Sequence, residues 1–267
     1  MTSPEETPLL EVRELSISFG GLQALNQVSF AVEEGEIFGL IGPNGAGKTT
    51  LFNCVSGLIQ ATSGVIHYEG QPLDGLPIHA RSLVGIARTF QNLNLFHGLT
   101  VLENLMVPVE VRQRRGFIAD AFRATRSRFG ESQAREEAGA ILHLLHLGDL
   151  RDVMAGELPV GLQRRVELGR AVAQRPRLLL LDEPASGLDG RETAELGALL
   201  PRIARQLSVT IVLVDHDMAL VMRVCDRICA LDFGQVIAMG TPAEVRNDPT
   251  VMSAYLGASG AVQVAQR

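Results

Sequence analysis

The sequence is short of several things, and each shortage excludes a class of protein. Its three cysteines, Cys54, Cys225 and Cys229, are too few and too scattered for a disulfide framework. Cys225 and Cys229 stand one helical turn apart, a spacing that predicts packing rather than a metal or redox pair. Aromatics are 4 % of a chain that is 46 % hydrophobic, which is ordinary for a cytosolic α/β protein. No apolar run approaches the ~18–20 residues that cross a bilayer; Leu178–Leu181 is closed at once by Asp182. Met1–Pro8 is polar and acidic, so no charged-then-apolar signal segment is expected. A net charge of −6 argues against general affinity for nucleic acid. The expectation is a soluble, cytoplasmic protein that borrows its membrane part from another chain if it works at a membrane. The last shortage is of lysine: Lys48 stands alone, and the other 23 of the 24 basic residues are arginines.

That lysine lies in the one stretch that organises the rest. Gly42-Pro43-Asn44-Gly45-Ala46-Gly47-Lys48-Thr49-Thr50 follows the apolar run Ile37–Ile41 and opens the helix-compatible stretch Leu51–Val55. This is the strand–loop–helix context of a phosphate-binding P-loop. The glycines let successive N–H groups face one anion, and the helix N-terminus adds partial positive charge. Lys48 would reach the β- and γ-phosphates of a nucleotide, and the Thr49 hydroxyl would ligate Mg²⁺. Arginine is written wherever a cation suffices. Lysine is kept where a compact charge must sit among phosphate oxygens and a guanidinium fork would not fit.

At 267 residues the chain can hold one large α/β domain with an attached subdomain, but not two full nucleotide-hydrolase units. Residues Leu9–Ser18 and Leu25–Val32 read as antiparallel strands around the Phe19-Gly20-Gly21 turn, and Val65–Tyr68 adds strand before Glu69-Gly70. Val84–Phe90 reads as a strand ending at Gln91. Thr100–Glu103 fits a capping box opening a helix to about Val109, and a second helix is expected over Ala134–Leu147. Between them Val111–Arg128 is rich in arginine, either a solvated face or a surface for anionic headgroups. Helices follow near Leu162–Gln174, Arg191–Gln206 (kinked or interrupted by Pro201), Ala219–Val224 and Pro242–Asn247. Among them lie the strands Leu178–Leu181 and Thr210–Val214 and the hairpin Ile228–Met239.

Two further strand ends carry chemistry. Leu178–Leu181 ends in Asp182-Glu183, and a buried parallel strand delivers its C-terminal end to the ligand crevice. Asp182 is placed to hold Mg²⁺ through water, leaving Glu183 to orient and deprotonate the attacking water. His216, just after Thr210–Val214, is a candidate γ-phosphate sensor, though a lone histidine is more often structural or exposed. Gln91 could touch Mg²⁺ or the attacking water, and it sits where a moving subdomain would report occupancy.

Together these motifs resemble the ATP-binding subunit of an ABC transporter over nearly the whole chain. The resemblance assigns Phe19 to adenine stacking, Gly42–Thr50 to the Walker A loop and Gln91 to the Q-loop. It makes Leu181-Asp182-Glu183-Pro184 the Walker B strand end, Asp189 part of the D-loop Ser186–Asp189, and His216 the switch histidine. The chain is most similar to the LivG-type subunits of branched-chain amino-acid importers, through Gly85–Gln91, Leu99–Leu105, the basic insert and Gly240–Val245. Subunits serving urea, amides or lipopolysaccharide share several of these phrases. The family's Leu-Ser-Gly-Gly-Gln signature stands here as Leu158-Pro159-Val160-Gly161-Leu162 followed by Gln163. Proline in place of serine removes a hydroxyl and an N–H, leaving the Gly161 N–H and the end of the following helix to meet phosphate. LivG-like chains tolerate proline there.

The resemblance implies an α/β fold: a RecA-like P-loop core with an antiparallel β subdomain and an inserted helical subdomain. The single domain would run over 9–257, with 9–92 and 159–257 as core, 93–158 as helical insert, and flexible termini at 1–8 and 258–267. It implies ATP and Mg²⁺ as ligands, and a head-to-tail dimer with an identical or sister ATPase. Two membrane permease subunits and, indirectly, an external solute-binding protein complete the expected partners, at the cytoplasmic face of the plasma membrane and without nucleic acid. The rival from another class is a soluble DNA-repair or chromosome-structure ATPase of the same type. Those carry long coiled coils or zinc modules, for which this sequence has neither heptads nor a Cys-x-x-Cys pair. A P-loop kinase is a poorer fit, since it gives Glu183, Asp189 and His216 no reason to fall in that order.

Overall fold

The computed structural model describes residues 7–89, 93–116 and 127–255. Two long strands, β1 (Leu10–Phe19) and β2 (Leu22–Val32), pair antiparallel across a turn at Gly20, whose φ is +60°. After β3 (Ile37–Ile41) and helix α1 (Lys48–Ser56), strands β4 (Ser63–Tyr68) and β5 (Gln71–Pro72) extend that layer in the order β2-β1-β4-β5. Glu69 and Gly70 both take positive φ at the β4–β5 turn, the requirement of a tight two-residue hairpin.

Helix α2 (Ile78–Leu83) precedes β6 (Ile86–Arg88). The expected strand Val84–Phe90 is therefore shorter at its start, because Val84 caps α2 and Gly85 turns the chain at φ +101°; Phe90 and Gln91 lie outside the described residues. What makes α2 a helix is tertiary. Its Arg81 is buried and donates to the carbonyls of Cys54 and Val55 at the C-terminal end of α1, and to those of Leu73 and Leu76. A cation is favourable at that end of a helix dipole.

The helical lobe comprises α3 (Val101–Gly116) and α4 (Ser127–Leu144), joined across their faces by Arg112 and Glu137 at 2.6 Å. Thr100 and Glu103 form the expected reciprocal cap, at 2.8 and 3.2 Å. Helix α3 runs beyond the expected Val109, through Pro108 to Gly116, so part of the basic insert is helical; residues 117–126 lie outside the described set. Helix α5 (Val160–Val172) packs against α3 and leads into β7 (Leu178–Asp182).

The alternation continues with α6 (Gly190–Leu207), β8 (Thr210–Val214), α7 (Met218–Val224), β9 (Arg227–Asp232), β10 (Gln235–Gly240) and α8 (Pro242–Arg246); residues 249–255 are helical again. Pro201 does not interrupt α6. It removes one N–H and leaves the Gly197 carbonyl without its helix bond, and the Arg223 guanidinium packs against that glycine while reaching the carbonyls of Thr193 and Ala194.

The second sheet has the order β10-β9-β3-β8-β7-β6, parallel except for the β9–β10 hairpin. Its central strands β3, β7 and β8 are buried at every position and apolar at all but Thr210 and Asp182, the ends of β8 and β7, and the glycine of β3, because both faces are covered. Leu179, Leu181, Ile211 and Leu213 join the core shared with the helices, whereas Leu178, Leu180, Val212 and Val214 join the core under α1 and the antiparallel layer. Gly39 in β3 lets a helix approach: a Cβ there would stand 2.9 Å from Cys225 Sγ. Cys225 ends α7 and Cys229 lies on β9, so they do not share a helix; both are buried, free thiols serving as packing, and burial pushes each up to about 12.

Candidate functional site

The sheet order brings four separated stretches to one edge. Strands β3, β8, β7 and β6 are neighbours and parallel, so the segments after Ile41, Val214, Asp182 and Arg88 all leave from their C-terminal ends. Ligands of open α/β sheets bind at that edge. It carries the glycine-rich loop, His216 and the Asp182-Glu183 pair, with Gln91 following Arg88 just outside the described residues.

The loop at residues 42–47 is locked by contacts only glycine permits. Gly42 has φ +149°, and a Cβ there would run into the Leu231 carbonyl. Gly47 has φ +103°, and its Cβ would stand 2.6 Å from Leu25 and 2.8 Å from the Ala24 carbonyl. Gly45, at φ +83°, supplies the turn between them, while Ala46 is buried and donates to the Pro43 carbonyl at 3.1 Å. Asn44 lies in the same turn. Helix α1 begins at Lys48 with Gly47 as cap, no side-chain cap and no acid in its first turn. Its N–H groups and dipole therefore face the loop with neither a capping side chain nor an acid of the same turn competing for them.

The Lys48 ammonium donates to the carbonyls of Gly42 at 2.6 Å and Pro43 at 2.9 Å, folding back over the loop. Burial lowers its pKa, while the nearby Glu183 and Asp182 act to raise it. Thr49 and Thr50 occupy the first turn of the same helix.

Asp182 is buried with 5 % of its surface exposed, and Glu183 follows with φ +49°. A left-handed conformation at a non-glycine residue stores strain of about 1–3 kcal/mol and concentrates at functional sites. The Glu183 N–H donates to the Val214 carbonyl at 2.8 Å, tying it to the neighbouring strand. His216 Nδ1 stands 3.9 Å from Glu183 Oε2 and 3.8 Å from Asp215 Oδ1, with two-thirds of the ring exposed. Asp215 is the pin between these loops: its carboxylate accepts from the N–H groups of Ala185 at 3.0 Å and Asp217 at 2.9 Å.

Asp189 caps α6, accepting from the Glu192 N–H at 2.8 Å while Glu192 Oε2 accepts from the Asp189 N–H at 3.1 Å. The same Glu192 carboxylate lies against Gly161, so the Asp189 turn and the start of α5 are in contact. Pro159 is the N-cap of α5 without a side-chain bond, Leu158 is buried and Val160 is half exposed. Phe19, at the end of β1, is 50 % exposed.

Sequence reasoning passed over three contributors. Asp215, beside His216, and Arg88, which lies in the Gly85–Gln91 stretch and pairs with Asp182 at 2.7 Å, have no role that their neighbours in sequence suggest. Tyr255 reaches back from the C-terminal helical segment, and its hydroxyl accepts the Gly42 N–H at 2.9 Å. Burial pushes this phenol up, so it stays neutral. Replacing Tyr255 by Phe strands a partly buried N–H at the root of the loop. The expected loss is about 1 kcal/mol, or a drop in Tm of about 2–4 °C, read by thermal unfolding.

The donors fit Mg²⁺ held together with a nucleotide. Thr49 and Asp182 supply oxygen only, and among the described residues no cluster of three or more His, Cys, Asp or Glu could hold a metal alone. Mg²⁺ commonly takes one or two protein oxygens and completes its shell with phosphate and water. Apart from this edge, a cleft of about 530 Å³ separates α2 and β6 from the helical lobe, lined among others by Leu83, Arg88, Pro108, Val111 and Arg170.

Comparison with known proteins bears on all of this. The profile of the ABC transporter family matches residues 25–186, and that of the branched-chain amino acid ATP-binding cassette transporter matches residues 235–261. The high-affinity branched-chain amino acid transport ATP-binding protein BraF of Pseudomonas aeruginosa is 44 % identical over 94 % of this chain and 98 % of its own length. The corresponding protein LivG of Escherichia coli is 42 % identical over the same shares. A crystal structure of the ADP conformation of an ATP-binding cassette of an ABC transporter superposes with a TM-score of 0.80 at 29 % identity, covering 94 % of this chain and all of the other.

Proposed function

The chain belongs to the ABC transporter family of ATP-binding cassettes, and from that premise we propose that it is the ATPase motor of an importer for branched-chain or other hydrophobic amino acids. The observation that carries the reading is the convergence of the glycine-rich loop, Asp182-Glu183 and His216 at the ends of adjacent parallel strands. The amino-acid cargo rests on the names of the relatives and on the C-terminal family segment.

In the proposed mechanism the N–H groups at the start of α1 and the Lys48 ammonium bind the ATP phosphates, Lys48 exchanging two backbone carbonyls for phosphate oxygens. Phe19 stacks on adenine. Thr49, Gln91 and, through water, Asp182 would hold Mg²⁺, which when bound would neutralise phosphate charge. Glu183 accepts a proton from the attacking water, and His216, at its side, senses the terminal phosphate. Leu158–Gly161 of one subunit closes over the nucleotide of another through the uncapped end of α5, with Asp189 alongside. Hydrolysis removes the bonds bridging the halves and lets them part, an order-and-release switch.

The interlobe cleft is the surface proposed to seat one permease subunit on each cassette of the pair, since it is walled by both the strand that leads to Gln91 and the helical lobe. The proposed location follows: the cytoplasmic face of the plasma membrane, held there by the permeases. Purification of the tagged chain from detergent-solubilised membranes tests this. Two polytopic subunits and a second cassette, identical or sister, are expected to co-purify, with branched-chain amino-acid uptake lost on deletion. Recovery of the chain without any membrane subunit would overturn the reading.

A further inference from the structure

Arg88 is buried at the end of β6, with 7 % of its side chain exposed, and it gathers three elements. Nη2 donates to Asp182 Oδ2 on β7 at 2.7 Å. Nη1 donates to Asn53 Oδ1 at 2.8 Å and Ser56 Oγ at 2.9 Å, both on α1, and the guanidinium lies 5.6 Å from the centre of the Phe52 ring. Asn53 and Ser56 stand four and seven positions after Thr49, so the three residues share one face of α1. The guanidinium thus grips the two lower rungs of the face whose top rung is Thr49. With its other nitrogen it fixes one oxygen of Asp182.

We propose that Arg88 is a positioning residue for the Mg²⁺-nucleotide site: it sets the spacing between the Asp182 carboxylate and the Thr49 face of α1. The inference rests on the nucleotide-site reading above and adds a residue to it. A planar fork with donors on both sides can hold a carboxylate and two helix acceptors at once, which the single ammonium of lysine cannot do at the same geometry. Charge alone argues the other way, because a buried carboxylate stripped of its partner favours the arrival of another cation, so a fall in the Mg²⁺ gain reports lost positioning and not lost charge.

The test is binding of a fluorescent ATP analogue to the full chain, with and without Mg²⁺, together with the Mg²⁺ dependence of hydrolysis. In Arg88→Met, nucleotide affinity without Mg²⁺ should stay within about two-fold of wild type. The gain in affinity that Mg²⁺ confers should fall about ten-fold or more, the range seen when outer-shell partners of metal ligands are lost, and half-maximal hydrolysis should need correspondingly more Mg²⁺. Arg88→Lys should recover part of the gain. If Arg88→Met does not fold, the double variant Asn53→Ala, Ser56→Ala keeps the ion pair and frees it from α1, and the Mg²⁺ gain should fall by a smaller factor. A gain equal to wild type in the folded variants would make the pair purely structural and overturn the proposal alone. Absence of any Mg²⁺-linked binding in the wild type would overturn the site reading, and the proposal with it.

Discussion

Replacing Glu183 by Gln should cut ATP hydrolysis by about 10²–10⁴-fold, the usual worth of a positioned general base, while ATP stays bound. The substitution is close to isosteric, so the left-handed backbone and the bond from the 183 N–H to the Val214 carbonyl are kept. What disappears is the carboxylate, and with it the proposed acceptor for the proton of water and a negative charge beside Asp182 and the nucleotide site. Removing that charge favours the bound anion, so affinity should hold or rise. In the proposed mechanism the dimer opens only after hydrolysis, so the variant should accumulate as an ATP-loaded, closed pair. Phosphate release and nucleotide retained on the isolated complex are the measurements; wild-type turnover would remove Glu183 from the mechanism.

Lys48→Arg should weaken ATP binding by about a hundred-fold or more, although the charge is conserved. The ammonium sits within 3 Å of two carbonyls of one loop, and a guanidinium is broader and planar. The loop cannot widen to admit it, since Gly42 abuts the Leu231 carbonyl and Gly47 abuts Leu25 and Ala24. Thermal unfolding separates binding from folding. At an Mg-ATP concentration about a hundred times the wild-type Kd, the wild type gains about 2.7 kcal/mol, a Tm rise of roughly 5–10 °C. The variant should melt like wild type without nucleotide and gain little with it. A normal rise would contradict the inference from the single lysine.

What the sequence disclosed was what lies close together along it. The Gly42–Thr50 loop, the Asp182-Glu183 strand end and the β9–β10 hairpin are written in contiguous residues, and periodicity or spacing finds them. Arg88, Asp215 and Tyr255 act over separations of up to 213 residues, and nothing local reveals their partners, even for Arg88 within the Gly85–Gln91 stretch. Helix α2 escaped because Arg81, which ties it to α1, is an isolated cation until the fold surrounds it. Cys225 and Cys229 were given a helical period although the chain leaves a helix and enters a strand between them. Pro201 carried its usual meaning of a break, and neighbouring packing overrode it.

The strand order has a consequence for how the protein is made. Strand β3, which carries the phosphate loop, is the first of its sheet to be synthesised, yet its two neighbours, β8 and β9, begin only at Thr210 and Arg227. At roughly 5–20 residues per second, both edges of that strand stay open for on the order of ten to thirty seconds while the ribosome works through the helical lobe. An open apolar edge templates association with other chains. A nascent chain stalled before residue 210 therefore exposes a strand that the finished fold buries at every position, and chaperone demand should peak there rather than at the end of translation.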